Sequence, residues 1–305
     1  MKSFNEPIVT YGAGRFVMDL PACMEFGGQY SIQSRTLSER VWSAEKPEQE
    51  ALSAWEEILG NVAKLSPPKG SERAIIETKD LDGIGKHCRA VLYYHDPLDL
   101  EYGNLDLILD TGINGLWIKA REKKLAKKDL IYQISTNLAR AYRAPTTRFG
   151  RVPVIPGKDS FYLQYGAIDL PFEYKESVDI VFKGHPLDQK LTFSVETEVV
   201  EKIAQEGLIE RLAGMMLTKL GAKMKIEKIR THKRTVAGLK GEEVIFRGSE
   251  SDNTKKLAFS WDFPGEKGSA HAPNVTLNML TDDGHLEKKM ALWDAILDAM
   301  RPAGR

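Results

Sequence analysis

The chain has 305 residues and no net formal charge, with 43 Lys plus Arg set against 43 Asp plus Glu. Hydrophobic residues make up 42% and charged residues 28%, ordinary proportions that exclude a fibrous repeat or a generally disordered chain. Charge is balanced in each half as well, with 20 residues of each sign up to Arg148 and 23 of each beyond it. That balance disfavours a bulk binder of nucleic acid or of a charged membrane surface.

Two cysteines, Cys23 and Cys88, are too few for a disulfide-dense scaffold or a cysteine zinc ribbon. No apolar run approaches the roughly 20 residues that span a bilayer, so stable membrane insertion is not expected. The opening Met1-Lys2-Ser3-Phe4-Asn5-Glu6-Pro7 lacks the apolar core of a signal peptide. The expectation is therefore either a cytoplasmic protein or an exported one whose leader has been removed.

In chain order, the first short β-like run is Phe16–Leu20. A helix opens at Pro47, with Leu52, Trp55, Leu59, Val62 and Leu65 as its apolar stripe and Ser66-Pro67-Pro68 as its stop. Strands are predicted at Ala74–Thr78, Ala90–Tyr94, Leu105–Leu109 and Gly115–Ile118. A second helix runs from about Arg121 to Tyr142, on Ile131, Ile134, Leu138 and Ala141. The second half offers Phe161–Leu170, Val178–Phe182 and Leu191–Val195, then a helix over about Val199–Leu220. Strands at Glu243–Phe246, Leu257–Trp261 and Val275–Leu280 follow, and a last helix starts near Gly284 and carries Leu286, Met290, Trp293, Leu297 and Met300 on one stripe. Turn residues between the strands favour hairpins and meanders over βαβ crossovers.

The element order repeats. Val17-Met18-Asp19-Leu20-Pro21 is echoed 150 positions later by Ala167-Ile168-Asp169-Leu170-Pro171. Order and offset together predict an α+β protein of two similar tandem domains, each a mainly antiparallel sheet with about two helices. The expected division is 1–146 and 147–305, with its linker around Ala144–Gly150.

Catalytic strings are absent. There is no Gly-x-Ser-x-Gly, no His-Glu-x-x-His and no phosphate loop, and the six histidines never fall one helical turn apart. Gly12-Ala13-Gly14 reads as a turn at a strand, not as a dinucleotide fingerprint. His87-Cys88 would put its two side chains on opposite faces of a strand, giving a buried thiol beside an exposed imidazole. The basic cluster Lys119, Arg121, Lys123, Lys124, Lys127 and Lys128 lacks interleaved aromatics and reads as a solvated helix face. Glu196, Glu198 and Glu201 read as a solvated strand end. Trp261 alternates with Phe259 and Phe263 and is expected in the core. Neither a catalytic residue nor a cofactor or metal site is predicted.

Two loops suit recognition, because loops on a rigid scaffold carry contacts and aromatic residues anchor them. One is acidic and holds Asp96, Asp99, Glu101 and Tyr102; the other holds Glu266, Lys267 and His271.

Three passages resemble a known family. They are Gly14-Arg15-Phe16-Val17-Met18-Asp19-Leu20-Pro21, then Arg234-Thr235-Val236-Ala237-Gly238-Leu239-Lys240-Gly241-Glu242-Glu243-Val244, and Phe259-Ser260-Trp261-Asp262-Phe263 followed by Ala272-Pro273-Asn274-Val275-Thr276-Leu277. Together they are similar to the type VI secretion lipase-immunity family, the group that neutralises group-four phospholipase effectors. The resemblance implies a non-catalytic two-domain inhibitor. It would bind its cognate phospholipase effector one to one, block the substrate entrance or lid, and work in the periplasm without nucleic acid or cofactor. The alternative is a structural or adaptor module for a non-lipase partner on the same scaffold.

Overall fold

The computed structural model describes residues 7–145, 160–171, 175–203, 207–211, 226–249 and 254–303. The chain groups into two compact units, named here for their position in the sequence. The central unit is Tyr30–Leu170; the terminal unit joins Met1–Gln29 to Pro171–Arg305. The first 29 residues are thus grouped with the second half, whereas the division at 146/147 would leave them with the first. Position 146/147 itself lies outside the described residues.

The strands of the first half are β1 (Ile8–Ala13), β2 (Phe16–Pro21), β3 (Glu25–Ile32), β4 (Arg35–Val41), β5 (Ile75–Asp80), β6 (His87–Asp96), β7 (Asp99–Asp110), β8 (Asn114–Lys124) and β9 (Tyr142–Arg143). Those of the second are β10 (Ser160–Tyr162), β11 (Ala167–Asp169), β12 (Glu176–His185), β13 (Asp188–Glu198), β14 (Ile226–Val236), β15 (Leu239–Ser249), β16 (Lys255–Phe263), β17 (Asn274–Asp282) and β18 (Arg301–Pro302). Among the described residues the longer helices are α1 (Pro47–Ala63), α2 (Lys128–Ala141) and α3 (Leu286–Ala299). The result is α+β, with the sheets antiparallel at every described pairing.

In the central unit the strand order is β4-β8-β7-β6-β5, with Tyr30–Ile32 of β3 beside β4. Strand β7 is buried without a break from Gly103 to Asp110 because helices cover both of its faces. Ile108 packs with Trp42, Ala51 and Ala54 on the α1 side. Leu105, Leu107 and Leu109 alternate with Ile108 and so point to the opposite face, where α2 lies. Fully burying such leucines contributes on the order of 1.5–3 kcal/mol each.

Helix α1 starts at Pro47, as predicted, with Glu48 and Glu50 complementing the positive end of its dipole. Its buried face is rotated from the expected stripe. Ala51, Ala54 and Val62 are buried with Trp55, Ile58 and Leu59 beside them, while Leu52 and Leu65 are exposed. Small alanines let the helix approach the sheet closely, so the leucines flank the contact. Residues 121–124 belong to β8, so the basic cluster lies on a strand end, a turn and the start of α2, not on one helix face. Arg121 pairs with Asp106 at 2.5 Å. Of the helix expected over 199–220, residues 208–211 are helical, 199–203 are not, and 212–220 lie outside the described residues.

In the terminal unit the order is β14-β15-β16-β17-β13-β12. Phe182, Phe193, Phe259, Trp261 and Trp293 are fully buried. The Phe193 and Phe259 rings lie 6.1 and 5.7 Å from Trp293 of α3, within the range where aromatic pairs attract beyond their area. Trp261 is in the core, as its period implied.

The repeat is built into the fold, but its hairpins are exchanged. Hairpin β1-β2 pairs with β18, the strand that follows α3. Its echo, β10-β11, pairs with β9, the strand that follows α2. Each hairpin therefore joins the helix end of the other half of the sequence. The register repeats too, with Arg301 opposite Val17 and Arg143 opposite Ala167, the two echoing positions. Asp19 pairs with Arg301 at 3.1 Å and Asp169 with Arg143 at 3.6 Å.

Candidate functional site

Asp96, Asp99, Glu101 and Tyr102 are brought together on the hairpin that joins β6 to β7. Asp96 and Asp99 face each other across a two-residue turn, Pro97-Leu98, after a register shift between Tyr94 and Asp96. Both carboxylates fix the turn. The Leu98 N–H donates to Asp96 Oδ1 at 2.6 Å and the Glu101 N–H to Asp99 Oδ1 at 2.8 Å, the local bonding for which Asp is favoured in turns. Tyr102 is half-buried lower on the hairpin, opposite Lys124. His95 Nε2 lies 3.5 Å from Glu122 Oε1.

The same loop exposes two leucines outside that predicted set. Leu98 is 94% exposed and Leu100 53% exposed. The available signal was a leucine directly after a proline within an acidic turn, where no core can reach it.

Glu266, Lys267 and His271 are also exposed, on the loop between β16 and β17. That loop is ordered by backbone hydrogen bonds, within itself and to the segment after β13. The Glu266 N–H donates to the Ala272 carbonyl at 2.7 Å, Ser269 N–H to Glu266 at 3.1 Å and Gly268 N–H to Val200 at 2.8 Å, while Ala270 plugs its base. These three residues belong to the terminal unit and the acidic four to the central unit.

A third feature was invisible to sequence reading. Between α1 and the sheet of the central unit runs a groove of about 450 Å³, with Tyr93, Trp117, Ile58 and Val62 as apolar lining and Glu39, Asp106 and Lys119 as polar lining. Its buried polar groups are committed to the scaffold. The Tyr93 hydroxyl donates to Asp106 Oδ2 at 3.3 Å, and burial pushes it up to about 12. Glu39 accepts from the Tyr142 hydroxyl and, at 2.8 Å, from the Tyr165 N–H. Burial drives the Glu39 carboxyl up to about 7, against the opposing pull of Tyr142 and of the backbone N–H groups of Tyr165, Gly166 and Gln164.

No group of three or more His, Cys, Asp or Glu side chains placed to hold a metal occurs among the described residues. Among those residues no helix is long and apolar enough to cross a membrane. Cys88 is a buried thiol raised to about 12 by its burial, and His87 beside it is exposed, as the strand geometry required. Of Glu196, Glu198 and Glu201, the first two close β13 and the third follows it, all exposed.

The three family-like passages serve the architecture. Arg15, at the turn of β1-β2, is buried and grips Glu176 with Nε at 2.7 Å and Nη2 at 2.8 Å. Ala237 and Gly238 both take positive φ, 51° and 85°, in the two-residue turn joining β14 to β15, where such a turn matches the twist of the strands. A Cβ on Gly241 would lie 2.5 Å from the Trp261 ring, so glycine lets that indole close the core. Glu243 is fully buried and ties Arg230 at 2.6 Å and Arg234 at 2.9 Å, which in turn hold Asp294 of α3. Asp262 accepts from Arg211 and Thr276, each at 2.8 Å.

Comparison with known proteins agrees with this. Residues 154–303 match the model of the Tle cognate immunity protein 4 C-terminal domain. The apo structure of TplEi, an immunity protein of the type VI secretion system from Pseudomonas aeruginosa, superposes with a TM-score of 0.76 at 19% identity, covering 97% of each chain. A chain of the Tle4–Tli4 complex gives the same score and identity over 97% of this chain and 98% of that one. TplEi complexed with a peptide designated L matches at 0.71 and 19% identity, over 98% and 99%. No curated protein sequence matches. Such structural likeness at low identity speaks for the fold, and the family model speaks for the sequence: residues 154–303 carry the C-terminal domain of the Tle cognate immunity protein 4 family.

Proposed function

We propose that this protein binds and neutralises a type VI secreted phospholipase toxin, without chemistry of its own, by occupying the toxin's substrate entrance or fixing its lid. The observation that carries this reading is the match of residues 154–303 to a family defined by cognate immunity. The passages that carry the family likeness go into turns, close contacts and buried ion pairs. Recognition is thereby left to exposed loops, which the scaffold holds still. The hairpin set Asp96, Asp99, Glu101 and Tyr102, of which Asp96 and Glu101 are exposed, and the exposed set Glu266, Lys267 and His271 are the contact surfaces in this reading. Two contacts in one chain reinforce each other through effective concentration. A zero net charge is compatible with this, because local complementarity sets association rate and specificity.

The complex is one to one, and it forms in the periplasm, where a delivered phospholipase meets membrane lipids. Coexpression tests the reading. Bacteria producing the exported cognate phospholipase lyse, and bacteria also exporting this protein survive. Survival with cytoplasmic but not exported protein would overturn the periplasmic site. Lysis in both cases would overturn the inhibitor.

A further inference from the structure

Leu98 stands out on the surface of the described residues. A singly exposed leucine is ordinary. Here, however, Leu98 at 94% and Leu100 at 53% share one hairpin tip, beside Pro97 and within a fence of carboxylates from Asp96, Asp99 and Glu101. Asp96 and Asp99 are already bonded to the Leu98 and Glu101 N–H groups. The tip is therefore held in one conformation before any partner arrives, which lowers the ordering cost of binding.

We propose that this tip is a plug: Leu98 and Leu100 enter an apolar pocket on the phospholipase, and the carboxylates meet a cationic rim around it. The proposal rests on the immunity reading and adds the anchor and the chemistry of the surface that receives it. Charge selects the class of partner. Side chains that insert into bacterial lipid are flanked by Lys or Arg, which anionic headgroups attract. Three carboxylates beside the leucines would be repelled by such a surface, and they fit a basic protein rim. They would act mainly on encounter rate, and the leucines on residence time.

Titration calorimetry of the full-length protein with its cognate phospholipase tests this, alongside sedimentation with vesicles of phosphatidylethanolamine and phosphatidylglycerol. Leu98→Asp and Leu100→Asp are each expected to weaken binding to the enzyme at least 100-fold with thermal melting unchanged. Leu98→Met and the control Leu280→Asp, at an exposed leucine of the terminal unit, are expected to bind as the parent does. Asp96→Asn with Glu101→Gln is expected to slow association and flatten its salt dependence. Parent-like binding by Leu98→Asp overturns the plug while the immunity reading stands. Vesicle binding that Leu98→Asp abolishes overturns it in favour of a membrane anchor. A parent protein that does not bind the enzyme overturns both.

Discussion

The two units make the same joint between hairpin and helix end but secure it with opposite chemistry. In the terminal unit a guanidinium from the hairpin turn, Arg15, reaches a buried carboxylate, Glu176. In the central unit a carboxylate from the sheet, Glu39, reaches the backbone N–H groups of the hairpin turn and the Tyr142 hydroxyl. Asp19 with Arg301 and Asp169 with Arg143 occupy equivalent places in both. A partly exposed ion pair is thus common to both units, while the buried lock differs. Either chemistry meets the same demand, a paired polar group at a buried turn.

Fragments divide the comparison most sharply. A fragment of residues 30–170 keeps hairpin β10-β11 with β9 and is expected to unfold cooperatively. A fragment of residues 1–146 loses that hairpin and leaves β1-β2 without β18, so it is expected to be poorly folded. Circular dichroism melting distinguishes them, and a sharp transition for 1–146 with none for 30–170 would break the exchange described here.

Removing one side of the buried lock comes next. Arg15→Met strands Glu176 and is expected to cost about 3–5 kcal/mol in denaturant unfolding. The double variant with Glu176→Leu should recover most of the loss, since a packed apolar pair can replace a buried ion pair. Equal losses in the single and double variants would show that Arg15 acts by packing alone. In the second passage of the family likeness, Gly241→Ala is expected to cost about 1–3 kcal/mol by crowding Trp261.

Both locks respond to pH in the same direction. The folded-state pKa of Glu39 is raised to about 7, from 4.5, and burial raises that of Glu176 as well. A group that holds its proton more tightly when folded favours the fold at low pH, and that advantage is lost as pH climbs through the folded pKa. Stability is therefore expected to decline from about pH 4.5 to 7, by at most about 3 kcal/mol from Glu39. Glu39→Gln should flatten the slope in this window, and an unchanged slope would place the titration elsewhere. Last and smallest, Asp19→Asn and Asp169→Asn should each cost less than about 1 kcal/mol, because both pairs are largely exposed.

Much of this was legible in residues. Periodicity found α1, α2 and α3, and the Asp-Leu-Pro echo reported a real structural repeat. An echo states which segments are alike and not which segments pack together, so the hairpin exchange could not be read from it. Strand β14, Ile-Glu-Lys-Ile-Arg-Thr-His-Lys-Arg-Thr-Val, was missed because it stands at the end of its sheet, where charged residues replace the apolar alternation. On α1 Trp55, Leu59 and Val62 of the expected stripe do face the core, but close packing adds Ala51 and Ala54 and leaves Leu52 and Leu65 outside. The acidic loop was found from composition, but Leu98 and Leu100 were passed over because apolar residues are read as core until a structure leaves them outside. The groove beside α1 draws on β4, β6, β7 and β8, which no local pattern connects.

The most direct measurement is a titration of the protein into its cognate phospholipase, with binding heat and phospholipid hydrolysis followed in the same samples. The account predicts a one-to-one end point at which hydrolysis is lost in proportion to the enzyme bound. Binding that leaves hydrolysis intact, or no binding at all, would contradict it.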